Sequence, residues 1–314
     1  MDETAIALLT NAYNINITAC RPVTGGWSAF AYRLETDAGA FFLKVYDKNR
    51  HTAVPWIKKI DRYMPLLSHL NGYEPVRGFI PAPLCTPSGA HKAESDNYVY
   101  LLFQYIDGTT LSETHIDSRQ TASLAHTLAH LHRFEVPKPQ CYDIEREDFQ
   151  VPFGPGINQM VGNSDLPDDM WQIFSAHRDK LNARISQVQT LSERLRADPP
   201  PFVLCHTDVH GWNLMQSEHL VLIDWEGVRL APAEAVLFAF TPGFFFDYAQ
   251  ERFMDEYKRA NPDYRKNADA LPFYRIRRRL EDIHDFAAGI LYDELSDEDR
   301  KLSLGHLSRE CNSL

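Results

Sequence analysis

Residues 206–226 read HTDVHGWNLMQSEHLVLIDWE, and they restrict the fold more than any other stretch. Two short apolar runs, FVLC before and LVLI within, frame a polar turn, and Asp208, Asn213 and Asp224 stand close to their ends. Carboxylates and carboxamides are poor strand formers and costly to bury. Strand ends are where a rigid scaffold presents chemistry. Three such side chains around one hairpin therefore point to a bound group rather than to a solvated turn.

The rest of the chain bounds what that group can be. With 314 residues there is length for two lobes, each with its own core, and 44% hydrophobic against 24% charged residues describes a folded globular protein. A formal charge of −11 argues against a nucleic-acid partner and is compatible with a cationic small molecule. The five cysteines, at positions 20, 85, 141, 205 and 311, form no C-x-x-C pair, which predicts free thiols in a reducing cytoplasm. MDETAIALLTNAYNIN at the start lacks a cleavable signal pattern. The longest apolar run, AEAVLFAFTPGFFF, holds a Pro and a Gly and is too short for a bilayer, so it is expected to be buried core.

Periodicity then orders the elements. ITACRPVTGGWSAFAYRLETDAGAFFLKVYD predicts three strands joined by a Gly-Gly turn and a Thr-Asp-Ala-Gly turn. A helix is expected at roughly 53–70, with Leu66, Leu67 and Leu70 at helical spacing. AESDNYVYLLFQYIDGTTL then supplies a strand, broken at Asp107-Gly108. SRQTASLAHTLAHLHRFEV places Leu124, Leu128 and Leu131 on one helical stripe. Residues 135–165 are expected to be irregular and 167–197 helical, ended by DPPPF; further helices follow the hairpin. This is an α+β chain: a small antiparallel sheet lobe over residues 1–106, then a larger, mostly helical lobe over 107–314.

A zinc or iron site is one use of the hairpin, because His206, Asp208 and His210 would face one side of a strand. Gly211 and Trp212 oppose it, since they end the strand near His206 and break the alternation. Phosphoryl transfer meets the whole pattern. It needs a carboxylate near the attacking hydroxyl and hard oxygen ligands for Mg²⁺. His206, Asp208 and Asn213 have the H-x-D-x-x-x-x-N spacing of a kinase catalytic loop, and an apolar strand delivers Asp224. The same chemistry demands a strand lysine and a glycine turn upstream. Lys44 is the only charge in FFLKVY, and TGGWSA offers Gly25, Gly26 and the hydroxyl of Ser28 to phosphate.

With these motifs the sequence resembles the aminoglycoside phosphotransferase and choline kinase family, of protein-kinase-like two-lobe fold, and looks most like its spectinomycin phosphotransferase branch. HTDVHGWNLM with LVLIDWEG is similar to the family's catalytic and metal signature, FFLKVY to its ATP-lysine strand and YVYLLFQYIDGTTL to its hinge. The resemblance implies ATP or GTP and Mg²⁺ as cofactors. It implies Asp208 as the residue that orients and deprotonates an alcohol. Asn213 and Asp224 would hold Mg²⁺, with Glu226 on a second ion directly or through water. His206 would steady the loop, and Lys44 would contact phosphate. Gln104, Tyr105 and Ile106 would meet the base through their backbone, between apolar walls at Leu214 and Ile223. Two departures stand out. The small-lobe helix offers only Asp61 where the family has a Glu for the lysine, and Val236 stands where the family has an Asp.

A short passage from Asp224 into the next helix excludes a peptide-binding activation segment, so the expected acceptor is a small molecule. Asp247, Glu251, Asp282 and Asp285 are the candidate contacts to its amines. The expected activity is a kinase of an aminocyclitol or aminoglycoside-type antibiotic, acting as a monomer or homodimer, with no membrane partner. The alternatives are a metabolic kinase of choline, homoserine or a thiosugar, and an idle kinase-fold binding or structural protein.

Overall fold

The computed structural model describes residues 1–23, 29–50, 53–112, 114–137, 142–163 and 165–314. In chain order its helices and strands are α1 (Glu3–Tyr13), β1 (Ile17–Pro22), β2 (Phe30–Thr36), β3 (Gly39–Asp47), α2 (Val54–Ile57), α3 (Ile60–Asn71), β4 (Ala93–Glu94), β5 (Tyr98–Gln104), β6 (Thr109–Thr110) and α4 (Ser118–Arg133). There follow α5 (Gly154–Gly162), α6 (Asp168–Ala197), β7 (Val203–Cys205), β8 (Leu214–Gln216), β9 (Leu220–Leu222), β10 (Arg229–Ala231), α7 (Glu234–Leu237), α8 (Gln250–Ala260), α9 (Ala270–Tyr292) and α10 (Asp297–Asn312). They divide into two compact units that ignore chain order. The first is Met1–Glu145, Val203–Leu230 and Tyr248–Asp263; the second is Arg146–Phe202, Ala231–Asp247 and Tyr264–Leu314.

In the first unit an antiparallel sheet runs β1-β2-β3-β5-β4. Its central hairpin turns at Thr36–Gly39, where Gly39 takes φ +117° and Thr36 Oγ1 donates to the Gly39 carbonyl at 2.8 Å. The register pairs Ala31 with Lys44 and Lys44 with Leu101. Successive side chains of β3 alternate between faces. Leu43 and Val45 join Leu34 and Leu102 beneath Leu9 and Tyr13 of α1, so Lys44 is left on the opposite face. Asp2 caps α1 by accepting from the Ala5 N–H at 2.8 Å. β6, β8 and β9 form a second small sheet. Helix α4 opens on a capping box, Asp117 with Gln120, and buries Leu124, Leu128 and Leu131.

The second unit is helical, with α9 packed against α5, α6, α7 and α10. Glu147 is its buried anchor. Arg277 Nη1 donates to both Glu147 oxygens, at 3.0 and 3.1 Å, while the Tyr274 hydroxyl and the Phe149 N–H donate to the same carboxylate. Val236, in place of an acid, is buried in α7.

Four expectations need correcting. The helix at 53–70 is two helices, α2 and α3, interrupted at Lys58–Lys59. The strand after residue 93 is three short strands, because the Ser95–Asn97 turn and the Tyr105–Gly108 bend interrupt pairing. Residues 135–165 contain α5, whose Ile157, Met160 and Val161 supply a buried face despite two flanking glycines and a proline. The apolar run is not all core: Phe238, Phe240 and Phe246 are buried, but Phe245 is exposed with the Arg278 guanidinium 5.5 Å from its ring. Among the described residues no helix is long and apolar enough to cross a membrane.

Candidate active site

Every group of the central site lies in the first unit. β7 ends at Cys205, and the next residues leave the extended conformation: Thr207 adopts φ +72°, in the left-handed region. The Thr207 hydroxyl repays some of that strain by donating to the Gly227 carbonyl at 2.9 Å, which ties the two arms of the site together. Gly211 touches the neighbouring chain so closely that a Cβ there would lie 1.9 Å from the Ser112 carbonyl oxygen. Ser112 in turn donates its N–H to the Gly211 carbonyl at 3.0 Å. Beyond that turn, Leu214 pairs with Leu222, and the Ile223 N–H donates to the Asn213 carbonyl at 2.9 Å. Asn213 and Asp224 thereby stand on opposite arms of one hairpin.

His206 is buried against the edge of Trp225, with ring centroids 4.9 Å apart. Its Nε2 donates to the Ile223 carbonyl at 2.9 Å, leaving Nδ1 to accept the Asp208 N–H at 3.4 Å. Burial pushes the imidazole down to about 4 against the pull of Asp208 and Asp224, so it stays neutral and acts as a brace. The strand alternation that would gather His206, Asp208 and His210 ends with β7. Both ring nitrogens of His206 are engaged, Nε2 with the Ile223 carbonyl and Nδ1 with the Asp208 N–H.

Asp208 is held by Asn213 and His210. Asn213 Nδ2 donates to its carbonyl at 2.9 Å and to Oδ2 at 3.1 Å, and His210 Nε2 lies 3.3 Å from the same Oδ2. Among the described residues no donor to the Asn213 amide oxygen is seen, and such an oxygen suits a hard cation. On the other arm Asp224 takes φ +69°, and its Oδ1 receives Lys44 Nζ at 2.7 Å. Crowding by surrounding atoms pushes the Asp224 carboxyl up, but the Lys44 cation opposes it and holds the group well below the ordinary carboxylate range.

Lys44 also donates to Glu226 Oε1, which the Tyr46 hydroxyl meets as well. Burial pushes the Glu226 carboxyl up, and nearby Asp224 adds to the rise. Lys44 itself is raised, since Glu226 and Asp224 outweigh the desolvation that would lower it. One ammonium thus faces two carboxylates, and the centre favours a further cation.

Asp61 does not partner Lys44: it receives Lys92 at 2.7 Å and is 70% exposed. At the end of β5 the Gln104 N–H donates to the Ala82 carbonyl and the Tyr105 N–H to the Ala40 carbonyl, at 2.9 and 3.3 Å. The Ile106 N–H has no such acceptor among the described residues. Leu214 is buried and Ile223 half-buried. Gly25, Gly26 and Ser28 lie outside the described residues.

The four candidate acceptor acids fall in both units. Glu251 is exposed on α8 of the first. In the second, Asp247 accepts the Gly243 N–H at 3.0 Å, and Asp285 lies 3.0 Å from His284 of the same helix. Asp282 pairs with Arg278 at 2.9 Å, yet burial outweighs that cation and pushes its carboxyl up to about 6. Tyr46 and Tyr63, which border the lysine centre, were not singled out from sequence. For Tyr46 a signal existed, because it lies two residues after Lys44 and so on the same strand face. Tyr63 carried none.

Comparison with known proteins gives the fold and the family. A chain from Streptomyces griseus, Protein StrN, is 22% identical over 247 residues, covering 74% of this chain and 72% of its own length. Spectinomycin phosphotransferase APH(9)-Ia, solved in complex with ADP and spectinomycin, has the same fold at a TM-score of 0.78 and 19% identity, over 98% of this chain and 94% of its own. Choline kinase LicA from Streptococcus pneumoniae matches at a TM-score of 0.62 and 15% identity, over 99% of both chains. The family model described as the phosphotransferase enzyme family, APH, matches residues 19–288, a span that includes the Lys44 strand and the 206–226 hairpin. The chain therefore belongs to the phosphotransferase enzyme family.

Proposed function

We propose that this protein is a nucleotide-dependent kinase that transfers the γ-phosphoryl group of ATP or GTP to a hydroxyl of an aminocyclitol or aminoglycoside-type antibiotic. The observation that carries it is the pairing of Asp208 with Asn213. The amide N–H₂ of Asn213 orients the Asp208 carboxylate, and its oxygen is left for a cation, so one residue couples the base to the phosphate side. Asp208 would accept the alcohol proton as the oxygen attacks. Lys44 would move its charge onto phosphate oxygens, and Ile106 would offer its N–H to the base. Asn213 and Asp224, an amide oxygen and an ionised carboxylate, fit Mg²⁺, which takes few protein ligands and keeps its waters. That ion, when bound, neutralises phosphate charge. The sheet lobe over 1–106 would carry the nucleotide, and Asp247, Glu251, Asp282 and Asp285 of the remainder would meet acceptor amines. The negative net charge supports a cationic acceptor.

The test is turnover of ATP and GTP against spectinomycin, other aminoglycosides, choline and homoserine, with mass spectrometry of the product. One added phosphate on an antibiotic supports the proposal. Phosphorylation of choline or homoserine alone replaces it with the metabolic alternative. Asp208→Asn should lower turnover by about a thousandfold or more while leaving ADP affinity and melting temperature near those of the parent. Full activity in that variant overturns the assignment of the base.

A further inference from the structure

Helix α3 brings no acid to Lys44, and this leaves open how the lysine is kept in place. Asp61, the one acidic residue of α3, is paired with Lys92 away from the site. The helix instead turns Tyr63 inward, 2% exposed, with Tyr46, Glu226 and Lys44 as its electrostatic neighbours. Two polar atoms at this point are buried with no partner at hydrogen-bond geometry among the described residues, the Tyr63 hydroxyl and Glu226 Oε2, and the Tyr46 hydroxyl and the Asp224 carboxylate are the nearby polar neighbours of these two side chains. An orphaned buried group of this kind is costly, and native proteins satisfy nearly all of them with protein or water.

Both residues line one small, part-open hollow with Arg62, Ile144 and Val228, and with Lys59 and Glu145, which hold each other at 3.3 Å. The room it leaves for the centre of a water molecule is about 10 Å³, close to the least that one water needs. A carboxylate oxygen accepts and a phenol donates, so a water between them has a partner for one lone pair and one hydrogen.

We propose that Tyr63 and Tyr46 are positioning residues for Lys44, acting through Glu226, and that a single buried water joins the Tyr63 hydroxyl to Glu226 Oε2. Glu226 then serves as the lysine's fixed partner. Its Oε1 takes Lys44 and Tyr46, its Oε2 takes the water, and α3 sets the phosphate-contacting lysine through tyrosines where an acidic helix residue would otherwise do so. The inference rests on the reading of Lys44 as the nucleotide lysine.

The experiment is a high-resolution crystal structure of the full chain and of Tyr63→Phe and Tyr46→Phe, with calorimetric titration of ADP and steady-state kinetics. A solvent peak within hydrogen-bonding distance of both Tyr63 and Glu226 is expected in the parent and absent in Tyr63→Phe. Each variant should weaken ADP binding and raise the nucleotide KM about tenfold, the effect of losing one hydrogen bond to a charged group, with the acceptor KM unchanged. A hollow without solvent in the parent, or ADP affinity equal to the parent in both variants, overturns the proposal. Should the parent bind no nucleotide, the kinase reading falls. The crystal structures then decide alone: water lost and Lys44 displaced in Tyr63→Phe supports the tyrosine linkage, and an unmoved Lys44 overturns it.

Discussion

Gly211 shows how tightly one residue can bind sequence to chemistry. It sits between Asp208 and Asn213, and its Cα faces the Ser112 carbonyl with no room for a methyl group. Gly211→Ala should therefore force the loop that carries Asp208 away from Ser112. The expected cost is about 1–3 kcal/mol of stability, typical of overpacking, and, on the proposed role of Asp208, a further fall in turnover. Urea unfolding and single-turnover kinetics of the same variant check both. The strain at Thr207 and Asp224 belongs to the same scale, since both are non-glycine residues at positive φ, Thr207 with its hydroxyl on the Gly227 carbonyl and Asp224 with its carboxylate on Lys44. The spacing of Asp208, Asn213 and Asp224 was legible in the sequence. Their backbone conformations were not, because positive φ is imposed by contacts remote in the chain.

At the scale of elements, strong periodicity was the dependable guide. Helix α4 has an apolar stripe, a capping box and no interior Pro or Gly, so local and tertiary preferences agree. Leu128 is fully buried on that stripe, and Leu128→Ala should cost about 2–5 kcal/mol in urea unfolding, with ADP affinity per folded molecule unchanged. Helix α5 escaped notice for the opposite reason. GPGINQMVG is rich in helix breakers, and its stability comes from packing against α6 and α9 of the second unit. β4 and β6, at two residues each, are too short to carry a pattern; neighbouring strands make them.

For the whole molecule, buried histidines couple the fold to pH. His132 accepts the Tyr257 hydroxyl at 2.6 Å, and burial pushes it down to about 3, as burial pushes His206 down to about 4. Both values lie below the ordinary 6.5, so the unfolded chain takes up protons first as pH falls. Stability present above pH 6.5 is lost from there towards the folded values, at about 1.4 kcal/mol per pH unit for each histidine. Asp282 works the other way. Its raised carboxyl favours the fold at low pH, and that benefit disappears as pH rises through about 6. Asp282 lies in the second unit and both histidines in the first, so urea unfolding at pH 7 and pH 5 should show the first unit weaker at pH 5. His132→Gln should make that dependence shallower, because one depressed histidine is removed. An unchanged slope in that variant would contradict the burial of His132.

The order of the motifs along the chain and the choice of Asp208, Lys44, Asn213 and Asp224 as candidates follow from residue type and spacing, because these are local properties read at periods of two and 3.6 residues. The partner of Lys44 does not. Asp61 was the nearest acid by sequence pattern, but folding placed it on Lys92 and brought Glu226, 182 residues from Lys44, to the ammonium instead. Which of several like charges closes a buried ion pair depends on where distant strands and helices come to rest, and only the tertiary structure decides that.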